Sequence, residues 1–214
     1  MSDKPIDYSL YLVLDPVLCQ QFGMVETAIE AVKGGATLVQ LRAPQWKKKQ
    51  IYDCALALKK ALSGTPAKLI INDHVDVAIA VDADGVHVGQ KDLPVAVVRK
   101  MIGKDKLLGL SINTAEQMTA VDATIVDYVG IGPVMPTTTK PDAAPSIGLE
   151  GLATLVAMSS VPSVAIGGIK CCHVSALAQT NVNGLAVVSA ICGQENPRVA
   201  SEVLLKTWKA FCTK

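Results

Sequence analysis

One pattern recurs along the 214-residue chain: a short run rich in Val, Ile and Leu, a polar turn, then a stretch with helical spacing. The apolar runs fall at 10–14, 37–42, 68–72, 85–89, 107–111, 128–132, 163–167 and 184–189. The stretches 27–33, 50–62, 73–81, 95–102, 115–121, 149–158, 173–179 and 197–211 read as helices. In 50–62, Ile51, Cys54, Ala55, Leu58 and Leu62 recur at the spacing of one helical face. Such alternation implies a parallel sheet covered by helices. Eight units in about 200 residues fit a closed (β/α)8 TIM barrel at the short end of its usual size. An open doubly wound sheet would carry a glycine-rich turn after its first strand. Here that turn is Asp15-Pro16-Val17-Leu18, without glycine. No linker or composition break interrupts the chain, so residues 1–214 are expected to form one barrel domain.

Composition narrows the function classes. Half the residues are hydrophobic and 18% are charged, which excludes a disordered chain. A domain of this length can bury roughly 70% of its unfolded surface, so stability needs neither disulfide nor structural metal. The net charge of +1 argues against a nucleic-acid partner. No apolar run reaches about 18 residues, and the start lacks the apolar stretch of a signal peptide. A cytoplasmic protein without a membrane partner is expected; a homo-oligomer is left open. None of the six cysteines forms a C-x-x-C pair, so they read as small, partly buried thiols.

Barrel active sites lie at the C-terminal ends of the strands, and there the polar residues gather. The eight runs end in turn at Asp15; Gln40-Leu41-Arg42; Asn72-Asp73; His87-Val88-Gly89 with Asp92 beyond; Ser111; Gly132-Pro133; Gly167-Gly168; and Ser189-Ala190. The strand interiors are otherwise apolar, and a structural barrel needs no such asymmetry. Gly-Gly and Ser-Ala after the last two strands suit a phosphate held by backbone N–H groups. Gln40 and Arg42 share a strand face, and Arg42 can grip phosphate with two N–H groups. Asp73 and Asp92 either share a hard cation such as Mg²⁺ or cap the following helices. The segment 134–148 is long for a βα loop and carries Thr137, Thr138, Thr139 and Lys140. The small residues Gly85, Gly109, Gly130, Gly132, Ala165 and Gly167 read as interior; they leave room for a ligand ring or for bulky neighbours. His87 shares a face with Gly85 and Gly89, and a pocket position stays open. His74 and His173 read as surface residues, and Lys47-Lys48-Lys49 as a solvated helix start. Physics alone reaches a barrel enzyme with two anion sites and a magnesium dependence, without a substrate.

A set of motifs carries a resemblance. The segments are 34–42 (GGATLVQLR), 69–78 (LIINDHVDVA), 83–92 (ADGVHVGQKD), 127–133 (DYVGIGP) with 136–140 (PTTTK), 165–169 (AIGGI) and 187–191 (VVSAI). In order and spacing they resemble the thiamine-phosphate synthase family, over about 11–191. The resemblance implies a transferase of thiamine biosynthesis. It would join 4-amino-2-methyl-5-hydroxymethylpyrimidine diphosphate to 4-methyl-5-(2-phosphoethyl)thiazole, giving thiamine monophosphate and diphosphate. By position, Gln40, Arg42, Asn72, Ser111 and Lys140 would bind the pyrimidine diphosphate, with Arg42, Ser111 and Lys140 catalytic. Asp73 and Asp92 would hold the Mg²⁺ cofactor. Thr137, Thr138, Thr139, Gly168, Val188 and Ser189 would bind the thiazole phosphate. The implied reaction is dissociative, so the protein positions substrates and neutralises the leaving group.

The sequence departs from the family pattern at three positions. Pro44 stands where many members have lysine, which Lys47 could replace; Asn113 stands where many have histidine; His74 stands where many have arginine or an acid. Two other readings use the same scaffold. A thiazole tautomerase-like isomerase needs no metal-diphosphate site, and Pro44 favours it. A non-catalytic binder of thiamine precursors needs no magnesium carboxylates.

Overall fold

The computed structural model describes residues 5–139 and 144–212. Eight strands run β1 (Leu10–Leu14), β2 (Leu38–Leu41), β3 (Lys68–Asn72), β4 (Gly85–Val88), β5 (Leu107–Ile112), β6 (Tyr128–Ile131), β7 (Ser163–Ile166) and β8 (Gly184–Val187). Each pairs in parallel with its sequence neighbours, and β8 pairs with β1, closing the expected barrel. The helices are α1 (Met24–Lys33), α2 (Lys48–Ala61), α3 (Val75–Ala80), α4 (Val95–Ile102), α5 (Ala115–Thr119), α6 (Gly148–Met158), α7 (Val174–Ala178) and α8 (Pro197–Phe211). Among the described residues no helix is long and apolar enough to cross a membrane.

Two cores result from the period-2 alternation of the strands. Leu10, Leu12 and Leu14 of β1 face outward to the helices, while Tyr11 and Val13 face the barrel axis. With both faces buried, the strands read as continuous apolar runs. The inner core is small: Tyr8, Tyr11, Val13, Leu38, Ile70, Tyr128, Val164 and Ala186. Ala165 belongs instead to the outer core, a correction to the interior reading, because it alternates with the inward Val164.

The inward glycines make room for protein, not for an open cavity. A Cβ on Gly109 would strike the Tyr128 ring and the His87 imidazole, and one on Gly130 would crowd His87. At the β1–β8 seam, a Cβ on Gly184 would overlap the Tyr8 carbonyl. The space at Gly109 and Gly130 lets the Tyr128 and His87 side chains lie inside the barrel.

Local signals set the helix ends. Asn196 caps α8 by accepting from Val199 N at 3.0 Å, and Pro197 opens the helix where no donor is needed. Thr114 caps α5 by accepting from Gln117 N at 3.3 Å. The expected helix 73–81 shortens to α3 because Asp73 takes a left-handed φ of 59°. Six residues do not hold a helix alone; burial of Val75, Val77 and Ala78 holds this one. The expected helix 173–179 is preceded by a 3₁₀ turn, Cys171–His173. Lys47, Lys48 and Lys49 are exposed as expected, and Lys48 reaches Asp76 of α3 at 2.7 Å. His74 and His173 are half-buried, not fully on the surface; His173 Nδ1 accepts from Lys170 N at 3.2 Å. None of the six cysteines is in a disulfide; Cys19 and Cys192 are buried, whereas Cys171 and Cys172 are exposed.

Candidate active site at the barrel mouth

The C-terminal strand ends place most of the expected residues at one mouth. On β2, Gln40 is buried at 4% exposure and donates through Nε2 to Tyr11 Oη at 2.7 Å. Arg42 follows just beyond the end of β2 and is half-buried. Pro44, farther out, is exposed.

Asn72 closes β3 in register with His87 of β4. Its Nδ2 donates to Asp73 Oδ2 at 2.6 Å, and Asp73 N donates to His87 O at 2.9 Å. These bonds hold Asp73 beside β4 in a left-handed backbone conformation, which a short polar side chain tolerates better than most. Asp92 turns back onto the end of β4, where its Oδ2 accepts from Gly89 N at 2.8 Å. Both carboxylates are exposed at neighbouring strand ends.

The helix-cap alternative for these aspartates does not hold. The capping position of α3 is His74 and that of α4 is Pro94, and neither helix has a side-chain cap bond. The two carboxylates are therefore not committed to helix starts. Their hard oxygens fit Mg²⁺, which takes one or two carboxylates and completes its shell with phosphate and water. No group of three or more His, Cys, Asp or Glu is placed to hold a metal among the described residues.

Behind the mouth lies a feature that strand-by-strand reading missed. Tyr11 Oη meets Tyr128 Oη at 2.8 Å, Tyr128 Oη lies 3.1 Å from His87 Nδ1, and His87 Nε2 lies 2.9 Å from Ser111 Oγ. With Gln40, these groups form one polar relay across the barrel, from β2 through β1, β6 and β4 to β5. The strand interiors are thus not wholly apolar. Burial pushes the Tyr11 and Tyr128 phenols well above their ordinary range, so both stay neutral hydroxyls. His87 lies inside the barrel, 8% exposed, which settles its open position. The signal available in sequence was the inward parity of Tyr11, His87, Ser111 and Tyr128.

Ser111 is half-buried at the rim. Its carbonyl accepts from Gln90 Nε2 at 2.7 Å, a second contact that sequence reading did not foresee. Asn113, two residues on, donates through Nδ2 to Gly132 O, bracing the ends of β5 and β6.

The other side of the mouth is shaped by backbone. The segment after β6 lies along β7: Val134 N donates to Ile166 O at 2.9 Å and Met135 N to Gly167 O at 3.0 Å. Gly168 has φ 63°, and a Cβ there would meet Pro136 O and Met135. This packing sets Gly168 against the start of the Thr137–Thr139 segment. Thr137 and Thr139 are half-buried and Thr138 is exposed; Thr139 N donates to Thr137 Oγ1 at 3.3 Å. After β8, Val188 packs on the inner core and Ser189 is exposed, opening a single helical turn closed by Cys192 N to Val188 O at 2.8 Å. Lys140 lies outside the described residues.

The closed barrel with its polar mouth defines an α/β-barrel protein of the kind that carries enzymes at its strand ends. A family model described as thiamine monophosphate synthase matches residues 10–191. The thiamine-phosphate synthase of Laribacter hongkongensis (strain HLHK9) is 53% identical over 202 residues, covering 94% of this chain and 95% of that protein. The thiamine-phosphate synthase of Desulfitobacterium hafniense (strain Y51) is 44% identical, covering 95% and 99%. Among solved structures, a thiamine phosphate pyrophosphorylase from Pyrococcus furiosus superposes with a TM-score of 0.87 at 36% identity, covering 96% and 98%. The chain belongs to the thiamine monophosphate synthase family, a family of transferases.

Proposed function

We propose that this chain makes thiamine monophosphate and diphosphate from the aminopyrimidine diphosphate and the thiazole phosphate, with Mg²⁺ as cofactor. The observation that carries this reading is the division of one mouth into two anion-ready sides. One side has Arg42, Asn72, Asp73 and Asp92 at the ends of β2–β4, both aspartates exposed. The other has Gly168 against the 137–139 segment, with Ser189 on the neighbouring β8 end. A diphosphate on one substrate and a phosphate on the other match that division.

Asp73 and Asp92 would hold the magnesium ion. When bound, it supplies positive charge to the leaving diphosphate. Arg42 grips diphosphate oxygens and, with Lys140, draws off the charge that builds as the carbon–oxygen bond breaks. The electron-rich aminopyrimidine carries the resulting cation, so the protein needs no nucleophile of its own. Gln40 and Ser111 orient the pyrimidine. Thr137, Thr138, Thr139, Gly168, Val188 and Ser189 hold the thiazole phosphate so that its ring nitrogen faces the cation. The reading includes cytoplasmic residence and no nucleic-acid partner.

The test is to mix purified protein with both substrates and follow thiamine monophosphate by chromatography, with Mg²⁺ and with a chelator. Magnesium-dependent product is expected. Product that survives chelation would remove the magnesium assignment. No product, with thiazole phosphate still bound, would move the chain to a tautomerase or a silent binder.

A further inference from the structure

We propose that His87 is a positioning residue that fixes the direction of the Ser111 hydroxyl: as the Nε2–H tautomer it donates to Ser111 Oγ and leaves the serine's own proton free for the mouth. The inference rests on the reading of the mouth as the pyrimidine diphosphate site. It adds a group that does not itself touch substrate.

The direction follows from donor counting along the relay. Gln40 Nε2 can only donate, and it donates to Tyr11 Oη at 2.7 Å. Tyr11 then has one proton of its own, and Tyr128 Oη at 2.8 Å is the neighbour that can take it. Tyr128, having accepted, spends its proton on His87 Nδ1 at 3.1 Å. An Nδ1 that accepts leaves the imidazole proton on Nε2, which faces Ser111 Oγ at 2.9 Å. Ser111 Oγ is then an acceptor inside the barrel and a donor outside it. A donor suits a diphosphate oxygen or a pyrimidine ring nitrogen; the reversed relay would present a lone pair and repel either.

Packing keeps the relay in register. Tyr11 is 1% exposed and Tyr128 is fully buried, so no solvent competes for their hydroxyls. Gly109, opposite Tyr128 in the β5–β6 register, leaves the space that the Tyr128 ring and the His87 imidazole fill. The Tyr128 and His87 rings stack at a tilt, their centroids 5.5 Å apart. Gln90 Nε2 on the Ser111 carbonyl holds the backbone of the same residue. Ser111 thus has its backbone and its hydroxyl oriented by two residues of the 83–92 segment.

Two measurements test this on the full-length chain. The first is ¹⁵N NMR of the histidine rings without substrate, with His87 assigned by the signal lost in His87→Gln. The wild type is expected to show Nε2 protonated and Nδ1 bare. The nearly isosteric Tyr128→Phe is expected to abolish that preference. The second is kinetic. Tyr128→Phe should lower kcat about tenfold, at the low end for loss of a group that orients a contact residue, without changing KM for the thiazole phosphate. In a Ser111→Ala background the same substitution should cost nothing further, because its effect travels through Ser111. His87→Gln, which can still offer an N–H near the Nε2 position, should retain more kcat than His87→Ala. A wild-type His87 protonated on Nδ1 alone would overturn the proposal, as would Tyr128→Phe and Ser111→Ala losses that simply multiply. A wild type without turnover would sink the synthase reading, while the NMR measurement would still decide the tautomer.

Discussion

Tyr11 and Tyr128 are 117 residues apart in sequence, yet their hydroxyls meet at 2.8 Å on the barrel axis. The contact joins β1 to β6 across the interior rather than along the sheet. It makes the inner core part hydrophobic plug and part hydrogen-bond network, and a network of this kind is stabilising only while every member is satisfied. Tyr11 stands between Gln40 and Tyr128, so removing its hydroxyl strands a donor on one side and a partner on the other. Tyr11→Phe is therefore expected to destabilise the fold by about 1–3 kcal/mol. Urea unfolding should show a lower midpoint with an unchanged slope. An unchanged midpoint would mean that the hydroxyl contributes nothing net.

The same burial predicts an alkaline limit. Tyr8, Tyr11 and Tyr128 are all pushed above the ordinary phenol value, chiefly by desolvation, with Asp127 adding to the rise at Tyr8. An unfolded chain ionises these phenols near pH 10 while the folded chain keeps them protonated. The unfolded state then binds fewer protons, so stability falls as pH rises. This contribution is fully present below about pH 10 and is lost above it, up to the raised folded values. Urea midpoints at pH 8, 10 and 11 should decline only beyond the second. A flat series would show that the phenols titrate freely in the folded barrel.

The fold was legible because parallel strands buried on both faces leave continuous apolar runs, and all eight strands fall within or beside those runs. Strand ends were less so. Arg42, Gly89 and Gly132 continue an apolar run in sequence but lie beyond the last residue of their strands. The mouth residues were legible from position and motif together. The relay was not: Gln40, Tyr11, Tyr128, His87 and Ser111 sit on five strands, and only closure brings them together. Nor could propensity foresee the left-handed backbone of Asp73, which answers to a bond with the neighbouring strand.

Asp92→Asn tests the magnesium corner with little change of shape. The amide oxygen can still accept from Gly89 N, so the turn after β4 should survive. What is lost is the negative charge. Turnover should fall about 100-fold or more, the scale of losing a main electrostatic stabiliser, while thiazole phosphate binding by calorimetry stays unchanged. Full activity would remove Asp92 from the metal assignment.

Lys140→Ala separates the two substrates kinetically. Under the dissociative reading, its charge acts on the departing diphosphate rather than on the thiazole. We expect kcat to drop by roughly two orders of magnitude with thiazole phosphate affinity nearly constant. The opposite split would move Lys140 to the thiazole side.

Gly168→Ala addresses that thiazole side. At φ 63° an alanine is strained wherever it sits. Here its Cβ would also press on Pro136 O and Met135, the residues leading into Thr137. The backbone cannot yield without moving the threonine segment away from β7, since Met135 N is bonded to Gly167 O. Thiazole phosphate affinity should weaken about tenfold, equivalent to about 1.4 kcal/mol. Occupancy of the pyrimidine diphosphate side, followed by Mg²⁺-dependent binding of inorganic diphosphate, should be unaffected. Equal loss on both sides would show that the mouth responds as one unit, and the division into two anion sites would then fall.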